Sequence, residues 1–405
     1  MTASVSRAIS RREILCLVAV LIGSFGISVE CGVAQTTDLR RLTLPRWTAE
    51  QELRLGSADG PHDAFVLPTA PKVDANGDIY VLDLRLPALL VFDSLGRFLR
   101  QLGGPGDGPG EYRNPAAFGI RGDTVWLGDM RTGRMTLFRR SGEVMSTFHF
   151  GSQDTRQSVQ IPVDMLGSDA FLVITPPGPD LRDAAVGSVT FRQSVVRTNR
   201  SGTVNDTTVT YTAEFPGIVT VPGGRGLFGY QPIRDGPMVS YNPQTGLVTE
   251  LERRAAVSNA GAEFRVTVRT SDGRILKERS FRYQPRPLPR EVRDSIIGEA
   301  QRRATGRAGD RLPVIMSHLY LPAHQPPVSS FVAGEDGTLW LERERFVGGP
   351  PAYLILDADL NPMATMDLPA KSGMLLSPIT RTHFWVHELD DLDVPSLVRY
   401  RIRRQ

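Results

Sequence analysis

The chain has 405 residues, 40% of them hydrophobic and 22% charged, a composition that argues against global disorder, a collagen-like rod and a polytopic membrane protein. Its 47 basic and 44 acidic residues are interspersed and give a formal charge of +3, so there is no basic stripe for nucleic acid and no polybasic membrane patch. All but three of the basic residues are arginines. We therefore expect a globular protein with arginine-rich loops.

An export signal is predicted over residues 1–34. The pair Arg11 and Arg12 precedes an apolar run over residues 14–29, and small residues occupy both recognition positions before a cut after Ala34. Cleavage would release a periplasmic or secreted protein with no stable membrane insertion. The alternative is an uncleaved membrane anchor, because the run is only slightly shorter than the roughly 20 apolar residues that span a bilayer.

Two routes of export remain open. The stretch 10–15 resembles the twin-arginine pattern, which carries folded proteins, and a general secretory signal is the alternative. A lipoprotein anchored at Cys31 is disfavoured because Glu30 stands where a small residue is required. Since both cysteines, Cys16 and Cys31, lie in the signal, the mature chain has neither disulfides nor thiolate metal sites.

A repeat follows a predicted linker over residues 35–51. The sequence GDIYVLD ends at Asp83 and GDTVWLGD ends at Asp129, 46 residues later, and each is followed by a phenylalanine after nine residues. Both units alternate apolar residues at period two and break at Asn-Gly, Gly-Asp or Ser-Gly, which are hairpin turns. Each unit is therefore predicted to be an antiparallel sheet of about four strands. Weaker copies begin at residues 167, 234, 335 and 382.

Six such sheets over residues 52–405 predict an all-β fold, a six-bladed β-propeller. The strand at 52–56 resembles the blade-ending strand at 98–103. It is therefore predicted to complete the last blade, which closes the ring and removes a free sheet edge.

The first units also resemble a known family. The segments that carry the resemblance are residues 77–83, 91–93, 96–99 and 103–112 and the pair Asn114-Pro115. They are similar to the NHL-repeat six-bladed propellers of exported bacterial proteins, closely over 52–150 and more loosely to 405, with an insertion between 254 and 330. The resemblance implies a propeller fold and a binding-scaffold role, and it carries no catalytic residue.

One helix is predicted in the mature chain, as an insertion at about 287–308. Val292, Ile296, Ile297 and Ala300 form its apolar face, with arginine and glutamate opposite. Two interpretations are open: the helix packs on the side or end of the propeller, or it covers the central channel as a lid.

Two patterns that suggest chemistry have plainer explanations. The glycine-rich stretch 103–112 resembles a phosphate loop, but a strand rather than a helix follows it, so an inter-blade connection is predicted. His383 and His387 lie four apart on a predicted strand, about 13 Å from each other, and cannot chelate one ion together. His318 and His324 are expected in loops, with a metal or catalytic role near the axis as the alternative.

The predicted ligand-binding face lies where the second strand of each blade ends. The repeat alignment places the following residues at these strand ends or just beyond them: Asp83, Arg85, Asp129, Arg131, Arg134, Arg343 and Glu388. A rim of arginines and carboxylates suits a polar or anionic ligand, because the guanidinium fork holds a carboxylate or sulfate through two hydrogen bonds. The alternative is that each aspartate caps its own loop by accepting hydrogen bonds from backbone amides.

These features favour an exported binding module for a protein, peptide or glycan, with no nucleic acid as partner. No catalytic residue is assigned and no cofactor is predicted. The alternative is a gluconolactonase-like hydrolase or lyase with calcium or zinc in the channel, for which Asp74, Asp129 and Glu335 are candidate ligands. A purely structural envelope module is a third hypothesis.

Overall fold

The computed structural model describes residues 35–404, apart from 58–59, 61, 86, 130–131, 151–160, 168–169, 176–177, 180–187, 217–218, 221–226, 229–232, 234, 254–261, 308–318, 344–350 and 370–371. The predicted signal therefore lies outside the described residues. Within them, no helix is long and apolar enough to cross a membrane.

The described chain opens with a segment that we call the N-terminal strap, residues 35–55. It contains β1 (Gln35–Asp38), one turn of 3-10 helix (Leu39–Arg41) and β2 (Arg46–Leu55). The stretch 35–51, expected as a linker, thus contributes β1 and the first half of β2 to sheets.

Six antiparallel sheets, or blades, follow. Blade 1 contains β3 (Lys72–Val73), β4 (Ile79–Asp83), β5 (Ala88–Phe92) and β6 (Phe98–Leu102). The short parallel pair β7 (Gly104–Pro105) and β8 (Glu111–Tyr112) leads to blade 2, which contains β9 (Pro115–Arg121), β10 (Thr124–Asp129), β11 (Arg134–Arg139) and β12 (Val144–His149).

Blade 3 is extended by a long hairpin. Its strands are β13 (Ile161–Met165), β14 (Ala170–Ile174), the two-residue β15 (Gly178–Pro179), β16 (Ser188–Asn199) and β17 (Val204–Pro216). Residues 195–199 of β16 pair with β14, and its earlier part pairs with β15. A small hairpin of β18 (Val219–Thr220) and β19 (Leu227–Phe228) follows.

The last three blades complete the set. Blade 4 contains β20 (Met238–Asn242), β21 (Leu247–Glu252), β22 (Ala262–Thr270) and β23 (Ile275–Tyr283), and β1 adds a fifth strand beside β23. The helix α1 (Arg290–Arg307) leads to blade 5, with β24 (Val328–Ala333), β25 (Leu339–Arg343), β26 (Ala352–Leu356) and β27 (Pro362–Asp367). Blade 6 contains β28 (Ser372–Leu376), β29 (His383–Leu389) and β30 (Pro395–Arg403).

Ring closure follows the prediction. β2 pairs antiparallel with β30, from Thr48 opposite Arg403 to Leu55 opposite Leu397, and so supplies the fourth strand of blade 6. The first two residues of β2, Arg46 and Trp47, also pair with β27 of blade 5. The N-terminal strap therefore joins the outer strands of blades 4, 5 and 6.

Six apolar clusters hold the blades together, one between each neighbouring pair, which makes the arrangement a closed six-bladed β-propeller. The period-two alternation of the sequence explains them. On β4, Tyr80 and Leu82 pack toward blade 2, whereas Ile79 and Val81 pack toward blade 6. Because both faces of each sheet are covered, the second strands of blades 1 and 3, IYVLD and AFLVI, are apolar at almost every position.

The structure differs in detail from two of the predictions made from the sequence. The copy that begins at 234 corresponds to the first strand of blade 4, β20, whereas the other copies lie on second strands. The helix forms as predicted, but none of its described side chains is fully buried, and Val292, Ile296 and Ile297 are only half-covered. A packing role and a lid role for the helix both stay predictions.

Candidate functional site

Asp83 and Asp129, the first two predicted site residues, accept hydrogen bonds from backbone amides at the entry to their blades and in the loop after the second strand. Asp83 is fully buried, and its carboxylate accepts hydrogen bonds from the amides of Val66 (2.7 Å), Leu67 (3.2 Å) and Arg85 (2.9 Å). Residues 66 and 67 lead into blade 1, so the carboxylate ties the incoming chain to the loop that follows β4.

Asp129 repeats this arrangement in blade 2. It is 4% exposed and accepts hydrogen bonds from the amides of Arg113 (2.6 Å), Asn114 (3.3 Å) and Thr132 (3.1 Å). Both carboxylates thus have the capping geometry that the alternative interpretation describes. A ligand-binding role for them stays a prediction.

The ends of the second strands in blades 6 and 5 carry buried glutamates that accept hydrogen bonds from side chains. Glu388 is 2% exposed and accepts hydrogen bonds from the Tyr400 hydroxyl (2.6 Å) and the Arg54 guanidinium (2.5 Å). In blade 5 the buried acid is Glu342, which accepts a hydrogen bond from Ser330 (2.6 Å), and the aligned residue Arg343 is exposed. Arg343 lines a cleft between blades 4 and 5.

The three remaining predicted arginines have separate environments. The Arg85 side chain is exposed beside β4, and Arg131 lies outside the described residues. Arg134 donates hydrogen bonds to the carbonyl oxygens of Glu111 (3.0 Å) and Asp107. Its guanidinium therefore holds the glycine-rich stretch 103–112, which forms an inter-blade connection as predicted.

A different set of polar residues lines a small cavity on the propeller axis, and we call this cavity the axial mouth. Its volume is about 40 Å³, and its lining comes from the ends of the six first strands that lie next to the turns into the second strands. The residues that contribute from the six blades in order are Lys72, Gly119, Asp164, Asn242, Glu335 and Ser377. These ends carry the turns between first and second strands, so the axial mouth opens on the face opposite the predicted one.

Lys72 is the cation of the axial mouth. It begins β3, is half-buried, and its Nζ lies 5.5 Å from the centre of the Phe118 ring. Among the described residues its ammonium makes no hydrogen bond and no ion pair; Asp164 and Glu335 are its charged neighbours. Burial lowers the pKa of Lys72, and the two carboxylates act in the opposite direction.

Asp164 lies across the axis from Lys72 on β13 and is 5% exposed. Its carboxylate accepts hydrogen bonds from the Tyr241 hydroxyl (2.8 Å) and the Met165 amide (2.8 Å), and Arg121 approaches to 3.8 Å. Burial raises the pKa of this carboxyl in spite of these partners.

Glu335 brings a second carboxylate from blade 5. Its backbone amide donates to the carbonyl of Ile379 (2.7 Å), which fixes the turn, and its side chain makes no hydrogen bond within the described part of the chain. Burial and the neighbouring Asp336 raise its pKa, and Lys72 lowers it. Beside it, the Asn242 amide donates to the carbonyl of Gly334 (2.8 Å). The axial mouth thus presents one cation and two carboxyls in a space for one polar group.

The carboxylates considered for a channel-bound cation are dispersed. Asp74 lies in the turn after β3, where it accepts hydrogen bonds from the Asn76 amide (2.8 Å) and the Arg140 guanidinium (3.2 Å). Asp129 lies at the end of β10, on the face of the propeller opposite to Asp74, and Glu335 lies at the axis. Among the described residues, no three His, Cys, Asp or Glu side chains come together as a metal site.

None of the described histidines lines the axial mouth. His383 contacts Glu52 at 2.9 Å, and burial lowers the pKa of His387. His324 forms a single backbone bridge with Pro287, and His318 lies outside the described residues.

Sequence reasoning found Glu335 only as a metal-ligand candidate and missed Lys72, Asp164 and Tyr241. The first strands are short and carry little of the repeat, so their inward positions cannot be aligned from one chain. One weak signal exists: Lys72 is one of three lysines among 47 basic residues, and it directly precedes the first turn of the first repeat.

Comparison with known proteins supports the fold. A family model described as a 6-bladed beta-propeller (DUF5128) matches residues 72–130, which cover blade 1 and the start of blade 2. No match was found among curated proteins. The NHL type of repeat stays a prediction.

Several solved structures are similar to the chain at low identity. A member of the DUF4221 family from Bacteroides vulgatus is 12% identical, with 89% of this chain and 99% of that chain covered and a TM-score of 0.49. The calcium-binding protein regucalcin from Agrobacterium tumefaciens is 12% identical over 90% and 98%, with a TM-score of 0.38. A virginiamycin B lyase from Staphylococcus aureus, catalytically inactive and crystallised with quinupristin, is 12% identical over 87% and 99%, with a TM-score of 0.40.

Proposed function

We propose that this propeller is an exported binding module that captures a protein, peptide or glycan at its axial mouth. The observation that carries the proposal is the Lys72 side chain, which is half-buried, has Asp164 and Glu335 as charged neighbours and makes no hydrogen bond to any described residue. A partly desolvated cation without a protein acceptor gains a hydrogen bond when a ligand supplies an acceptor group, so such a ligand would stabilise it.

The size of the axial mouth favours an extended ligand. About 40 Å³ accommodates a single polar group, because one water molecule takes about 30 Å³ in the liquid. A larger molecule would therefore lie across this face and insert one carboxylate, carbonyl or hydroxyl toward Lys72. Peptides and glycans carry such groups at regular intervals, and Asp164 and Glu335 provide acceptors for their N–H and O–H donors.

The export part of the proposal rests on the N-terminal sequence, with its arginine pair, apolar run and small residues before Gln35. The axial mouth and the exposed Arg85 lie on opposite faces, so variants at these two places separate the two candidate binding faces. Binding at either face needs no catalytic residue, and the described carboxylates and histidines form no cluster that would hold a catalytic metal.

The test compares wild type with Lys72→Met, Arg85→Ala and the control Lys277→Met on immobilised peptide and glycan arrays. Lys277 is a surface lysine paired with Asp359 at 2.5 Å, so its loss should leave binding unchanged. We expect wild-type signals to fall at least tenfold in Lys72→Met only. Absence of wild-type signal, or loss in Arg85→Ala with retention in Lys72→Met, would contradict the axial assignment.

A further inference from the structure

A second cavity lies away from the axis, between blades 4 and 5 and under the N-terminal strap. Its volume is about 330 Å³, within the usual range for small-molecule sites. Leu39, Leu42 and Leu44 of the strap form one wall. The other walls come from β22 and the end of β23 in blade 4 and from β25 and β26 in blade 5.

The floor of this cleft is apolar and firmly packed. Phe264, Val328, Leu341 and Leu354 line it and are at most 6% exposed. They belong to the apolar cluster between blades 4 and 5, so the floor is fixed by the propeller core. By contrast, Leu42 on the strap is 42% exposed.

The polar lining of the cleft carries one sign of charge. Among the described residues, Arg40, Arg286 and Arg343 line it and no aspartate or glutamate does, although the whole chain is nearly balanced. The Arg40 guanidinium is paired with Asp38 at 2.7 Å. Arg343 is exposed at the rim and has no hydrogen bond or ion pair within the described residues. The cleft thus combines an apolar floor with an available guanidinium at its edge.

We propose that this cleft binds an aliphatic carboxylate, with the hydrocarbon chain on the Phe264, Leu341 and Leu354 floor and the carboxylate on Arg343. The volume accommodates roughly ten non-hydrogen atoms at about 30 Å³ each, the chain length of a medium-chain fatty acid. The charge pattern selects a carboxylate over an alcohol of equal length, because the guanidinium fork pairs with two carboxylate oxygens. Binding also covers the exposed Leu42 of the strap.

Decanoate is the probe, with decanol as its uncharged match. In calorimetric titrations we expect wild type to bind decanoate at least tenfold more tightly than decanol. Arg343→Gln should lose that preference and keep its decanol affinity, whereas Arg274→Gln, an exposed arginine that does not line the cleft, should behave as wild type. Equal affinity for the two probes, or an unchanged preference in Arg343→Gln, would overturn the proposal.

A second measurement locates the bound molecule. Hydrogen exchange of residues 39–44 should slow in the presence of decanoate, because the ligand packs under the strap. Lys72→Met should bind decanoate as wild type does, so failure of the axial proposal leaves this one standing. Protection at the axial mouth with none in the strap would refute the cleft assignment.

Discussion

The Tyr241 hydroxyl donates a hydrogen bond of 2.8 Å to Asp164 and thereby joins the first strands of blades 3 and 4 at the propeller axis. Because burial raises the pKa of Asp164, its ionised form destabilises the fold. This destabilisation is absent at a pH below the ordinary aspartate pKa of 3.8, grows as the pH rises from there to the elevated pKa in the folded protein, and is constant above it.

Asp164→Asn should therefore change stability in a pH-dependent way. The substitution removes the titrating group and keeps an oxygen that can accept from Tyr241. We expect the melting temperature of the variant, relative to wild type, to rise between pH 3.5 and pH 7, by an amount equivalent to about 1.4 kcal/mol for each unit by which the pKa is raised. A difference that is constant or falls over this range would contradict it.

Asp83→Ala should destabilise the propeller strongly. It leaves two backbone amides in the entry to blade 1 and one in the loop after β4 without their acceptor, and each unsatisfied donor that is withdrawn from water costs about 1–3 kcal/mol. We expect a loss of at least about 2 kcal/mol in urea unfolding, and a smaller loss for Asp83→Asn, which keeps one oxygen. Glu143→Ala, at a residue whose side chain is 67% exposed, serves as the control and should change little. A stable Asp83→Ala variant with impaired ligand capture would instead support the predicted role at the ligand face.

Arg134→Ala should loosen the glycine-rich connection between blades 1 and 2. Its guanidinium holds the carbonyls of Asp107 and Glu111, so we expect a loss of about 1–2 kcal/mol and faster proteolysis within 104–112. Arg139→Ala, whose partner Glu143 is exposed, is the matched control. Equal proteolysis rates for the two variants would show that Arg134 does not fix this connection.

Trp47→Ala tests the closure of the ring. Trp47 is 5% exposed, packs against Trp340 with ring centroids 6.4 Å apart, and links the N-terminal strap to blade 5. Removal of a buried tryptophan should cost about 3–5 kcal/mol in urea unfolding, whereas Leu392→Ala, at a residue 82% exposed, should cost less than about 0.5 kcal/mol. A protein lacking residues 35–58 that melts at the wild-type temperature would show that β2 is not needed for closure.

The export prediction is checked by intact-mass measurement of protein from the periplasm or the medium. The mature chain should begin at Gln35, because small residues stand at the cleavage positions before it. Recovery of chains that retain residues 1–34 in the membrane fraction would support the uncleaved anchor instead.

The sequence by itself determined the blades. The second strands of blades 1 and 2, IYVL and VWL, are apolar at successive positions because they pack on both faces, and turns at fixed spacing set their register. Ring closure was also predictable, because the strand at 52–56 repeats the blade-ending pattern of β6. These features depend on local alternation and on turn residues, which a single chain displays directly.

Only the tertiary structure decided which polar residues meet. Lys72, Asp164 and Glu335 are far apart in sequence, and they converge because the ring brings the first strands of their blades to a common axis. Conversely, Asp83 and Asp129 looked like surface groups at strand ends, but the incoming chain covers them and supplies amide donors. Convergence at an axis and burial by a distant segment depend on how sheets pack, and strand periodicity carries no record of that packing.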